Sequence, residues 1–81
     1  MNTEELLKRI TVRPDVFGGK PIIRNMRISV ETILSLLGQS QSPREILRDY
    51  PELQEEDITA CIVYAHHVIA NDRLDEILVA P

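Results

Sequence analysis

Apolar residues recur at helical spacing from Ser29 onward, and before it they do not. Val30, Ile33, Leu34 and Leu37 fall at i, i+3, i+4 and i+7 behind Ser29, a residue type that caps helix starts. Gly38 stands where that helix should end. Ser42-Pro43-Arg44-Glu45 joins a capping box to a proline at the first helical position. Ile46, Leu47 and Tyr50 then supply an inward face until Pro51 stops it. A third period opens near Gln54, with Glu55, Glu56 and Asp57 placed against the positive end of a helix. Ile58, Cys61, Ile62, Ala65 and Ile69 carry its stripe, and Asn71-Asp72 breaks it. Leu74, Ile77 and Leu78 add an amphipathic turn or two beyond the break.

The front of the chain follows a shorter period. Thr3 is positioned to cap a brief helix anchored by Leu6 and Leu7. Ile10-Thr11-Val12 alternates like a strand and Pro14-Asp15 ends it. Gly18-Gly19-Lys20-Pro21 is the clearest turn, because paired glycines tolerate positive φ and Pro21 pushes Lys20 towards extended backbone. Ile22-Ile23 and Met26-Arg27-Ile28 are short extended candidates around Arg24-Asn25.

The expected fold class is therefore mainly α. A single domain over residues 1–81 is predicted to hold a short β-arm at 10–28, a trihelical core at 29–69 and an amphipathic tail at 70–81. Three short helices with tight connections are the minimal helix-turn-helix architecture. The predicted core is Ile10, Val12, Ile22, Ile28, Val30, Ile33, Leu34, Leu37, Ile46, Leu47, Tyr50, Leu53, Ile58, Cys61, Ile62 and Ala65. The two ends, Leu6-Leu7 and Leu74-Ile77-Leu78, are too short to stand alone and read as dimerisation or partner-binding segments.

Composition narrows the function. A domain of 81 residues buries only about 60% of its unfolded surface, so a partner chain is an expected source of extra stability. One cysteine makes no internal disulfide, and Cys61, His66 and His67 fall short of a structural zinc set. No metal or cofactor is expected. No run of 18 apolar residues suggests a membrane span, and the acidic start suggests a cytoplasmic protein whose cysteine stays reduced. The catalytic inventory is poor as well. Cys61 lies on an apolar stripe, the adjacent His66 and His67 point about 100° apart on a helix, and Gly18-Gly19-Lys20 lacks the rest of a P-loop. An enzyme is not expected.

The formal net charge of −4 conceals an asymmetry. Residues 1–48 carry eight basic side chains against five acidic ones, and residues 49–81 carry one against eight. Nucleic-acid binding is therefore weighed at two places. Arg13, Lys20, Arg24 and Arg27 belong to the basic arm, which as a dimer could present a β-ribbon to a major groove. Arg44 and Arg48 lie one turn apart on the second core helix, where they would face phosphates if that helix were the reading element. Docking through the third helix is disfavoured, since three carboxylates crowd its first turn. The basic arm suits an acidic groove on a protein partner equally well.

The runs Gly18-Gly19-Lys20-Pro21-Ile22-Ile23, Arg27-Ile28-Ser29-Val30, Glu45 through Leu53, Glu56-Asp57-Ile58 and Tyr64-Ala65 resemble the domain-of-unknown-function 433 family over about residues 10–66. That resemblance implies a homeodomain-like trihelical fold behind a β-arm. It also implies a VapB-like antitoxin, because members are often encoded beside PIN-like ribonuclease toxins. Asn25-Met26 stands where the family usually has Gly-Thr, and Ser40 where it has a turn glycine. The expected function is an antitoxin-like homodimer that neutralises a PIN-like toxin through Leu74, Ile77 and Leu78 and represses its own operon by binding operator DNA. The alternatives are a stand-alone dimeric DNA-binding regulator and a homo-oligomeric adaptor.

Overall fold

The computed structural model describes residues 1–71. Their elements are α1 (Thr3–Leu7), β1 (Ile10–Val12), β2 (Pro21–Ile23), α2 (Val30–Gly38), α3 (Pro43–Asp49) and α4 (Glu55–Ala70). The described chain is thus mostly helical, with one two-stranded antiparallel sheet.

The sheet pairs Ile10 with Ile23, Thr11 with Ile22 and Val12 with Pro21. Its connection needs three left-handed residues in a row, Phe17 (φ 49°), Gly18 (φ 64°) and Gly19 (φ 85°). Two of the three are glycines, which adopt this backbone without a Cβ penalty. Beyond β2 the chain reverses again at Arg24 (φ 44°) and Asn25 (φ 61°), and Met26 N–H closes the turn on the Ile23 carbonyl at 2.8 Å. Positive φ at both central residues is the type I′ pattern. Met26-Arg27-Ile28, predicted as extended, forms no strand: it is the return of this turn, with the Ile28 carbonyl accepting from Ile23 N–H at 3.1 Å and Ser29 bridging to Ile22.

The helix starts follow their sequence signals closely. Ser29 Oγ accepts from the Thr32 amide at 3.0 Å. Ser42 and Glu45 form the reciprocal box, with Glu45 N–H to Ser42 Oγ at 3.2 Å and Ser42 N–H to Glu45 Oε1 at 3.1 Å. Those bonds hold the Glu45 carboxyl below its ordinary range. Two caps lie elsewhere than predicted. Asn2, not Thr3, caps α1, its Oδ1 accepting from Glu5 at 2.8 Å. The left-handed residue that terminates α2 is Ser40 (φ 70°), not Gly38, which remains helical. Gln41 N–H reaches the Leu36 carbonyl at 3.1 Å and Ser40 N–H the Leu37 carbonyl at 3.0 Å, the paired bonds of a Schellman motif.

Ile22, Ile23, Ile33, Ile46 and Cys61 are fully buried, and Ile28, Val30, Leu53 and Ile58 nearly so. Val12 and Ile62 were expected inside, but both are exposed. Val12 is the last residue of β1, paired with Pro21 at the end of the two-stranded sheet. Ile62 sits on the flank of α4 away from the core. Conversely, Leu6 is buried: α1 folds onto α4 and does not project as a docking segment. Leu74, Ile77 and Leu78 lie outside the described residues.

Candidate functional site

Asp57 is a fully buried carboxylate in the first turn of α4. Its surroundings explain how it can be there. Arg24 grips it with both ends of the guanidinium, Nε to Oδ1 at 3.0 Å and Nη2 to Oδ2 at 2.8 Å. Arg9 Nη1 donates to Oδ1 at 2.8 Å, and the Gln54 amide donates to Oδ2 at 2.8 Å. The same Arg24 Nη2 also donates to the Glu52 carbonyl at 3.1 Å, and Arg9 Nη1 to Gln54 Oε1 at 2.9 Å. Both carboxylate oxygens are thereby satisfied by charged or backbone donors, the condition under which a buried charge is tolerated.

This clasp joins segments distant in sequence. Arg9 follows α1, Arg24 occupies the turn after β2, Glu52 lies in the α3–α4 connection and Asp57 opens α4. The left-handed backbone at Arg24 places its side chain in this arrangement, and Arg24 N–H also bonds the Arg9 carbonyl at 2.8 Å. Asn25 N–H donates to Thr11 Oγ1 at 2.9 Å, closing the turn onto β1.

Burial alone would push the Asp57 carboxyl up, but hydrogen bonds from Arg24, the Gln54 amide and Arg9 outweigh it and hold the group below the usual aspartate range. The same pair raises the Arg24 guanidinium. A carboxyl depressed on folding stabilises the fold fully above its unfolded value, and that contribution disappears as pH falls through the folded value. The melting temperature is therefore expected to drop on acidification below about pH 4, the ordinary aspartate range. Thermal melts of wild type and Arg24→Ala over that range check this. The variant, already lacking the main cause of the depression, should show the shallower acid dependence.

The nucleic-acid-binding candidates divide accordingly. Arg24 is engaged by Asp57 through Nε and Nη2, with its side chain 35% exposed. Lys20 pairs with Glu31 at 2.7 Å, holding that carboxyl below its usual range. Arg13 and Arg48 make looser contacts to Asp15 and Asp49, each 3.6 Å and solvent-exposed. Arg27 and Arg44 are exposed and have no carboxylate within bridging distance among the described residues. Sequence reasoning missed Arg9 and Asp57 as partners. One signal was present: Asp57 is the third residue of α4, where a carboxylate can reach back to the preceding amide.

Cys61 is completely buried, and burial, helped by the nearby Asp57 charge, pushes its thiol up to about 12. That is the environment of a core residue, not of a thiolate nucleophile. His66 and His67 are both exposed. Among the described residues no three of His, Cys, Asp and Glu converge as a metal set, and no helix is long and apolar enough to cross a membrane.

A second feature lies along the far half of α4. A cavity of about 420 Å³ runs between Val30 and Leu34 of α2 and Tyr64, Ala65, Val68 and Ile69 of α4, with Lys20, Pro21 and Glu31 completing it. Val68 is 44% exposed and Ile69 72%. The geometry explains why they are uncovered. At 1.5 Å per residue the 16-residue α4 is nearly twice as long as the nine-residue α2 it packs against.

The profile of the family described as "Protein of unknown function (DUF433)" matches residues 10–65, from β1 into α4. The chain belongs to the DUF433 family. Among solved structures it is similar to a DUF433 member protein from Anabaena variabilis, at 36% identity and a TM-score of 0.71, covering 79% of this chain and 63% of that one. Among curated sequences it is 30% identical over 56 residues to the uncharacterized protein y4eO of Sinorhizobium fredii, covering 69% of this chain. The chain spans only 25% of that relative's length. The DUF433 match begins where β1 begins, so it takes in Arg24 and Asp57 of the clasp but not Arg9.

Proposed function

We propose that this chain is an antitoxin-like binding protein of the cytoplasm, which neutralises a PIN-like ribonuclease and is not itself an enzyme. DUF433 membership supports this through the frequent placement of such proteins beside PIN-like toxins. The structural observation that carries it is the run of carboxylates between α3 and α4. Glu52 and Glu55 are exposed, Asp49 is exposed 3.6 Å from Arg48, and Glu56 is half-buried 3.9 Å from Arg9, while Asp57 beside them is turned inward and neutralised. A ribonuclease holds its substrate through phosphates, so its cleft presents cations, and a carboxylate-lined edge matches that cleft in sign. The tail residues Leu74, Ile77 and Leu78 are the proposed apolar anchors of the same contact.

Co-expression with the ribonuclease encoded beside this chain tests the assignment. The two should co-purify, and reversing Glu52 and Glu55 to lysine should weaken the complex by at least about tenfold, the low end for close charge pairs across an interface. Absence of a complex contradicts the reading.

Operator binding is the second reading, with α2, α3 and α4 as a homeodomain-like helix-turn-helix. It is favoured by Arg27 and Arg44, exposed and without a carboxylate partner among the described residues, with Arg48 on the same helix as Arg44 and Arg13 on the arm. The α3 helix would be the reading element, and its seven residues span only about 10 Å, a small footprint. A gel shift whose affinity falls steeply with salt would support it, and a flat salt response would exclude phosphate contact.

A further inference from the structure

The second half of α4 has a property that neither the clasp nor the acidic edge uses. From Ile58 to Ala70, thirteen successive residues include no Asp, Glu, Lys or Arg. This holds around the whole helix, including the flank turned away from the core, where Ile62 is 50% exposed. Thirteen residues make about 20 Å of helix. Exposed helix faces in water normally carry charges. An exposed stretch without Asp, Glu, Lys or Arg, in which Ile62, Val68 and Ile69 stand exposed beside His66 and His67, fits a contact surface whose core excludes charge.

We propose that this surface is the interface between two copies of the chain. Three observations select a second copy. First, the stretch itself carries no Asp, Glu, Lys or Arg, although the chain as a whole has a formal net charge of −4. The 58–70 stretch is where they can meet without opposing like charges. A strongly charged partner would gain nothing from it. Second, a two-fold contact must be self-complementary, with residue i meeting j and j meeting i. Here a knob and a groove lie on one helix: Ile69 forms part of the wall of the cavity between Leu34 and Val68, and Ile62, seven residues before it and so on nearly the same face, is half exposed. An antiparallel pairing of two α4 helices about Ala65 sets the Ile69 of each copy against the partner helix near Ile62. Third, the described core is small, and burial against a second copy is a usual remedy in domains of this size.

The inference concerns the chain alone and does not rest on the antitoxin reading. Sedimentation equilibrium of the full chain over roughly 1–100 µM, the range a modest interface populates, tests it. Wild type should be a reversible dimer. Ile69→Glu and Ile62→Glu, both at exposed positions, should each raise the dimer dissociation constant at least about tenfold while leaving the helical circular dichroism unchanged. Arg27→Glu, outside this stretch, should remain dimeric. A wild-type chain that is monomeric throughout overturns the proposal and leaves residues 72–81 or a foreign protein as the occupant of the groove. A dimer that withstands both glutamate substitutions overturns it equally, by placing the interface elsewhere.

Discussion

Replacing Asp57 with alanine is expected to cost about 3–5 kcal/mol, the usual penalty when one partner of a buried ion pair is removed. The reason is the number of bonds that end on one carboxylate: three from guanidiniums and one from the Gln54 backbone amide. Asp57 is entirely buried, whereas the side chains of Arg9 and Arg24 are 17% and 35% exposed. Removing the carboxylate strands two guanidiniums at the junction of α1, β2 and α4 and frees the Gln54 amide that opens α4. For a domain of 60–100 residues each kcal/mol moves the melting temperature by roughly 4–8 °C. Chemical denaturation of wild type and variant measures the difference. A loss below about 1 kcal/mol would put this pair in the class of surface bridges. Arg13→Ala provides the contrast: its 3.6 Å contact to Asp15 is half or more exposed on both sides, and its removal should change stability by less than about 1 kcal/mol.

The second large effect is expected at Ile46, where alanine should cost about 2–5 kcal/mol. Ile46 is fully buried and is the central apolar residue of α3, a helix of only seven residues. Helices this short have little intrinsic stability and depend on packing. Beside Ile46, α3 offers the core only Leu47 and the adjoining Tyr50, both partly buried. Truncating Ile46 therefore removes its transfer energy, leaves a void in the core cluster that it shares with Ile33, Leu53 and Ile58, and loosens α3 itself. Val12→Ala, at an exposed strand position, should stay within about 0.5 kcal/mol. Equal losses at the two positions would contradict this placement of the core.

The three core helices were legible because their signals are local. Ser29, Ser42-Pro43 and the carboxylates after Gln54 act within one turn, and the apolar stripes repeat over two or three turns. The turns were partly legible. Asn25 adopts the left-handed backbone its side chain tolerates, while Arg24 and Phe17 adopt it without any preference readable in sequence. The site was the least legible part, because the clasp joins residues 33 and 48 positions apart. A sequence reading counts Arg24 and Lys20 as free cations of a basic arm. Only the fold shows that Arg24 is bound to the buried Asp57 and that Lys20 lies 2.7 Å from the exposed Glu31. Ile62 and Val12 were misplaced for a related reason: periodicity marks an apolar position but not whether the fold supplies a neighbour to cover it.

The antitoxin reading is tested most directly by titrating the ribonuclease encoded beside this chain with the purified chain and following RNA cleavage. The reading predicts that cleavage falls to background near one equivalent and returns when Glu52 and Glu55 are reversed to lysine. Undiminished cleavage at a large excess of correctly folded chain would contradict it.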